Sequence, residues 1–270
     1  MAGSDSVYQR IGRKTALALR QGEWLLKSVF GSGPEAIKAE ESAGKALASA
    51  ILRDVQLSTD ARAHLLVEET GARLADCLTN RYRRFQFFTI RMDAANAFAL
   101  PGGFIFITEP ILELCGHDAT MTAAILGHEI GHVVRGHAYK RMLASPATHF
   151  GARILARTVG VQAAISRVLS EYLQKDYSRE QEDEADMLGL LLMASAGFDP
   201  RGMIRVFERL RDLHGEKNSL LKYFSTHPTF ADRITNLEAI LEREGLERRY
   251  RQRLSAGAKE SGDERAEGEG

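Results

Sequence analysis

A chain of 270 residues, 44% of them hydrophobic, can bury one large core, or a core with a helical extension. Lysine plus arginine equals aspartate plus glutamate at 36 each, so the formal net charge is zero. That balance excludes the global positive field that would argue for nucleic acid, and the acidic excess that would argue for a basic partner.

The N-terminal region lacks the pattern of a secretory signal, because Arg20, Gln21, Glu23 and Lys27 interrupt its apolar run. No stretch reaches the roughly 18 consecutive apolar residues of a membrane span. The most apolar one, 150–169, carries Arg153, Arg157 and Arg167. The expected compartment is the cytoplasm if Met1 is the native start, and the periplasm or envelope if an export signal was removed. Peripheral attachment to a membrane stays open.

Residues 1–57 read as a helical extension with two apolar stripes. Leu17, Trp24, Leu25 and Val29 form one; Ala46, Leu47, Ile51 and Leu52 form the other, with a break at Gly31-Ser32-Gly33-Pro34. Ser58-Thr59-Asp60 then introduces a further helix with Leu65, Leu66, Leu74 and Leu78 as its apolar positions. Cys77 and Cys115 have no metal-ligand spacing; one disulfide between them is an open alternative, and two buried free thiols are the preferred reading.

The period changes at 84–92, where aromatic and β-branched residues alternate as in a strand. Residues 96–108 give two short apolar runs around Pro101-Gly102-Gly103, a strand, tight turn and strand. A small antiparallel sheet is the simplest arrangement. Glu109-Pro110 opens a helix to about Leu114, since proline is tolerated in the first turn.

Residues 118–140 read as one helix, capped by Asp118 or Thr120 and buried through Met121, Ala124, Ile125, Ile130, Val133 and Val134. It carries His128-Glu129-Ile130-Gly131-His132. On a helix the two histidines lie on one face, one turn apart, and can hold one zinc ion. Glu129 between them can reach a water on the metal. Gly127 and Gly131 each cost a helix about 1 kcal/mol relative to alanine, which points to a close backbone approach. His137 lies about 140° around the same helix from His132 and is excluded as a third ligand. His64, His117, His149 and His214 lack such a context.

A catalytic zinc needs a third protein ligand. The acidic run Glu180, Glu182, Asp183, Glu184, Asp186 is the concentrated downstream source. Glu182 and Asp186 share a helix face, so Glu182 can bind metal while Asp186 accepts a hydrogen bond from a ligand histidine. Glu180, Asp183 and Glu184 are expected to face solvent. The run continues into an apolar helix ending at Gly197, followed by an amphipathic helix at 201–214. A loop at Ser225-Thr226-His227-Pro228 leads into a last helix. Residues 150–175 form a helical pattern with scattered arginines, and the end of the chain from about 255 has the composition of a disordered tail.

HEIGHVVRGH, the upstream NAFALPGGFIFIT, SREQEDEAD followed by LG, AGFDP, and THPTFADRI occur in that order over roughly residues 60–240. Together they resemble the gluzincin metallopeptidases of the CAAX prenyl protease and heat-shock protease (HtpX-like) superfamily, in its soluble bacterial branch. The resemblance implies an α+β, mostly helical fold, with a small antiparallel sheet beside the HExxH helix. It implies His128, His132 and Glu182 as ligands of one zinc ion, Glu129 as base, and Asp186 as the partner of a ligand histidine. Domain limits follow as 1–57 extension, 58–241 metallopeptidase, and 242–270 charged helical end and tail.

The expected activity is peptide-bond hydrolysis in unfolded or damaged polypeptides. The alternative is a metal-containing chaperone or scaffold with gated proteolysis. His227 and Arg233 match the HPxxxxRI pattern of the resembling superfamily. His227 either donates to the oxyanion or fills the open metal position, and Arg233 either serves catalysis or pairs with an acid near Glu182. Asn96, Ala97, Phe98, Ala99 and Leu100 are the candidate edge for binding an extended substrate by strand addition.

Overall fold

A computed structural model describes residues 34–143, 171–214, 227 and 230–255. The stripe at Leu17–Val29, most of the arginine-bearing segment at 150–175 and the tail beyond 255 lie outside these residues. The fold is mostly helical, with one small sheet.

Helix α1 (Pro34–Asp54) buries Leu47, Ala48 and Ile51, whereas Ala46 and Leu52, expected on the same stripe, are exposed. Helix α2 (Ala61–Asp76) starts at Asp60, whose carboxylate accepts hydrogen bonds from the backbone amides of Arg62 and Ala63. Its buried face is Ala63, Val67, Thr70, Gly71 and Leu74, at helical spacing. Leu65 is exposed, so the expected phase of this face was right only toward its C-terminal end.

Strands β1 (Gln86–Ile90), β2 (Ala97–Leu100) and β3 (Phe104–Thr108) form a sheet in the order β1-β3-β2. The pair β2–β3 is antiparallel across the tight turn Pro101–Gly103, as the sequence suggests. The pair β1–β3 is parallel, so the sheet is mixed rather than wholly antiparallel. The reason is topological: residues 91–96 do not close a hairpin, but carry the chain past β3 so that β2 pairs on its far side.

Alternation along the strands divides the sheet's side chains between two layers. Phe98, Leu100, Phe104 and Phe106 pack with Leu47, Ala48 and Ile51 of α1. Ala97, Ala99, Ile105 and Ile107 join the main helical core. Phe88, Phe106 and Phe98 stack across all three strands, with ring centroids 4.8 and 5.2 Å apart. A buried ion pair, Arg83 Nη1 to Glu40 Oε2 at 2.5 Å, ties α1 to the approach to β1.

Helix α3 (Glu109–Leu114) has proline in its first turn. Helix α4 (Ala119–Val134) is capped by Asp118, whose side chain accepts from the Met121 amide at 2.8 Å. Every residue from Thr122 to Val134 is buried, so α4 is the central element of the fold. The expected single helix to residue 140 is interrupted. Gly136 adopts φ 70°, which favours glycine, and a separate helix α5 (His137–Leu143) begins there.

Helix α6 (Arg179–Ser195) opens with a capping box, in which Ser178 and Gln181 each bond the other's backbone amide. It packs directly against α4. The position of a Cβ on Gly131 would lie 2.7 Å from the Ala185 carbonyl oxygen, so only glycine permits this approach. Helices α7 (Arg201–His214) and α8 (Phe230–Glu244) close the core behind α6. Among the described residues no helix is long and apolar enough to cross a membrane.

Candidate metal centre

The tight α4–α6 contact brings two histidines and a carboxylate to one point. His128 and His132, one turn apart on α4, direct their Nε2 atoms toward each other at 3.0 Å. Glu182, on the facing side of α6, places Oε1 3.3 Å from His132 Nε2 and Oε2 3.6 Å from His128 Nε2. His227 completes the group, with Nδ1 2.9 Å from Glu182 Oε1 and 3.2 Å from His128 Nε2. All four side chains are buried.

Ligands held at 2.0–2.1 Å around a tetrahedral ion lie roughly 3.3 Å apart. The observed separations fall around that value, and the donor atoms of His128, His132, Glu182 and His227 all lie within 4.8 Å of one another. Three imidazole nitrogens and a carboxylate are the donor chemistry of a zinc site. The residues therefore fit a metal ion.

Asp186, one turn along α6 from Glu182, lies 2.8 Å from His128 Nδ1. Arg233 from α8 grips the same aspartate with both prongs, Nε to Oδ2 at 2.8 Å and Nη2 to Oδ1 at 2.7 Å. Its Nη1 lies 2.7 Å from Glu182 Oε2. The guanidinium also packs 4.2 Å over the Phe207 ring. Of the two sequence-based alternatives for Arg233, the pairing with acids is the contact present.

Burial opposes charge on Glu182, but His227 and Arg233 outweigh it and hold the carboxyl well below the usual range. Asp186 is treated alike: burial opposes, Arg233 and His128 prevail, and its pKa falls. Burial drives the His132 imidazole well below its ordinary value. Glu182 and Asp186 thus set two carboxylates against the single guanidinium of Arg233, an imbalance that a divalent cation would relieve.

Glu129 stands beside the four donors. Both of its carboxylate oxygens are buried and accept no hydrogen bond from the described residues. His227 Nε2 lies 3.5 Å from Oε1. A buried carboxylate without a donor is costly unless a proton-bearing group is meant to meet it.

The candidate edge Asn96–Leu100 consists of Asn96 and β2, the outer strand next to α4. Its residues are buried. The Ala99 carbonyl accepts a short hydrogen bond from the Tyr172 hydroxyl. Tyr172 and Tyr177 have their hydroxyls 3.4 Å apart, and the Tyr177 ring stacks on His132 at 3.8 Å between centroids. Arg141 lies over both tyrosine rings, at 4.6 and 4.4 Å.

Sequence reasoning missed Tyr177 and Arg141. Tyr177 precedes the N-cap Ser178, where an apolar residue commonly folds inward, and that position was a usable signal. The acids expected in solvent divide: Glu180 is exposed, whereas Asp183 and Glu184 are half-buried. Asp183 is pushed up to about 6, mainly by burial and then by Asp186. Glu184 lies 3.5 Å from His137 Nε2 and 3.7 Å from Arg135 Nε.

A sequence profile described as peptidase family M48 matches residues 61–241. The mitochondrial metalloendopeptidase OMA1 of Schizosaccharomyces pombe is 34% identical over 157 residues, covering 57% of this chain and 46% of that protein. A putative beta-barrel assembly-enhancing protease of Vibrio cholerae is 32% identical over 182 residues, covering 63% of this chain and 37% of that protein. The metalloprotease YcaL of Escherichia coli is 28% identical over 147 residues, covering 53% of this chain and 56% of that protein. The chain thus spans about half, or less, of the length of these relatives.

Proposed function

The chain belongs to peptidase family M48, and from that premise we propose that it is a zinc-dependent metalloendopeptidase acting on unfolded or damaged polypeptides. The observation that carries this reading is the convergence of His128, His132, Glu182 and His227 beside a buried Glu129 whose oxygens have no hydrogen-bond donor among the described residues. His128, His132 and Glu182 would hold the zinc ion. When bound there, zinc lowers the pKa of a coordinated water toward about 7 and polarises a carbonyl.

The protein's own groups supply the rest. Glu129 takes the proton of the attacking water and delivers it to the leaving amine. Asp186 accepts from His128 Nδ1, which keeps the proton off Nε2 and leaves that atom free to bind metal. Arg233 holds Asp186 and Glu182 in place and does not touch substrate. The edge Asn96 to Leu100, which includes strand β2, receives an extended substrate by backbone pairing, which suits a protease with weak sequence preference. In the conformation described, the Tyr172 hydroxyl takes one acceptor of that edge, so substrate has to displace it.

His227 is the point where the two functional readings meet. A catalytic metal keeps one position open. The His227 Nδ1 contacts with Glu182 and His128 favour its filling that position over its donating to an oxyanion. We therefore read the conformation as a closed one, in which His227 has to move before substrate binds. This retains the gated-proteolysis alternative as a state of the same enzyme.

The test is metal analysis combined with hydrolysis of unfolded casein. One zinc per chain and cleavage that chelation abolishes and zinc restores are expected. A protein that takes up no zinc, or cleaves equally well after chelation, would refute the reading.

A further inference from the structure

We propose that His137 and Glu184 form a relay that fixes His132 in the tautomer needed to bind metal. This rests on the zinc reading above and extends it to two residues outside the ligand set.

His132 presents Nε2 to His128 and Glu182, so its other ring nitrogen must carry the proton if Nε2 is to coordinate a metal. Such a proton needs an acceptor, and a ligand histidine usually finds a carboxylate, a carbonyl or water. His128 has Asp186. His132 Nδ1 instead lies 3.1 Å from His137 Nδ1, inside the core.

One proton occupies a nitrogen–nitrogen contact of that length, so two tautomers compete. In the first, His132 Nδ1–H donates and His137 Nδ1 accepts, and the His137 proton sits on Nε2. In the second, His137 Nδ1–H donates, the His132 proton moves to Nε2, and metal binding is blocked. Glu184 decides between them. Its Oε2 lies 3.5 Å from His137 Nε2, and a carboxylate there favours a proton on that nitrogen. The chain runs Glu184 carboxylate, His137 Nε2–H, His137 Nδ1, His132 Nδ1–H, with His132 Nε2 left bare for metal.

The backbone builds this relay deliberately. Were α4 continuous, His137 would lie about 140° around the axis from His132. The break at Gly136, with φ 70°, starts α5 at His137 and folds that side chain back against His132. Glu184 lies two residues beyond Glu182 on α6, so one helix supplies both a ligand to the metal and the outer end of the relay.

Competition of the full-length protein with a chromophoric chelator measures zinc affinity directly. His137→Phe is expected to weaken zinc binding about 10–100-fold, the usual range for the partner of a ligand histidine. Glu184→Gln is expected to weaken it about tenfold, with the melting temperature of the metal-free protein unchanged. In the His137→Phe background, Glu184→Gln should have no further effect, because the relay is already cut. The cobalt-substituted variants should keep the wild-type visible spectrum, since the ligands are unchanged.

Variants that bind zinc as tightly as wild type, or that weaken it additively, would overturn the relay while leaving the zinc reading intact. A wild-type protein without zinc affinity would overturn both. Should His137→Phe not fold, Glu184→Gln alone, at a half-buried position, decides the matter by its zinc affinity.

Discussion

Gly131 of α4 faces the backbone of Ala185 in α6 so closely that a Cβ on it would lie 2.7 Å from the Ala185 carbonyl oxygen and 2.9 Å from its Cα. Helix propensity alone predicts that Gly131→Ala stabilises the protein by about 1 kcal/mol. The contact predicts the opposite sign, because backbone rather than a flexible side chain stands in the way. We expect a net loss of about 1–3 kcal/mol in chemical denaturation. We also expect weaker zinc binding, since separating the helices moves His128 and His132 away from Glu182. At Gly127 the nearest atom, the Gly189 carbonyl oxygen, is 3.2 Å away, so Gly127→Ala should be milder.

Arg233 is buried with two carboxylates, and its forked bond to Asp186 uses the guanidinium's planar geometry. Arg233→Met leaves Glu182 and Asp186 without their cation and should cost about 3–5 kcal/mol in the metal-free protein. Arg233→Lys should recover only part of that loss, because an ammonium cannot make both bonds. Urea denaturation of the metal-free proteins compares the three. Equal stability of all of them would contradict the assigned role.

If His227 fills the open metal position, His227→Ala should raise the rate of casein cleavage while leaving one zinc per chain. A lower rate with zinc retained would instead assign His227 to the oxyanion. Parallel zinc analysis and initial-rate measurement separate the two.

Burial pushes the Cys115 thiol up to about 12. At pH 8 about one molecule in ten thousand then carries the thiolate there, and thiolate is the reactive form. Iodoacetamide should label half-buried Cys77 first and reach Cys115 only on unfolding, as mass spectrometry of a time course would show. The sign for stability follows from the same shift. The contribution is complete below the unfolded value near 9.0, and is lost as pH rises from there through about 12. Rapid labelling of Cys115 in the native protein would contradict both.

The residues that meet at the centre were legible where spacing along one helix maps directly onto one face. His128 with His132, and Glu182 with Asp186, are such pairs, and the glycines between and beside them announced a close approach. The strand positions were legible from their alternation. The parallel pairing of β1 with β3 was not, because local pattern carries no register between strands that are not sequence neighbours. His137 stays outside the group of candidate ligands, as read, but its contact with His132 was not legible, because at Gly136 the helix breaks and angles counted along a continuous helix no longer apply. Glu184 was read as solvated because nothing in its own segment shows that His137 would face it. The exposed Leu65 shows how easily an apolar phase slips when the real face is built from alanine, threonine and glycine.

The central claim, that this chain hydrolyses peptide bonds with Glu129 as base, is tested most directly by casein hydrolysis with Glu129→Gln at matched zinc content. Glutamine keeps the shape but cannot take a proton, so zinc should stay at one per chain while the rate falls by about 10²–10⁴-fold. A Glu129→Gln variant that holds zinc and cleaves as fast as wild type would contradict the account.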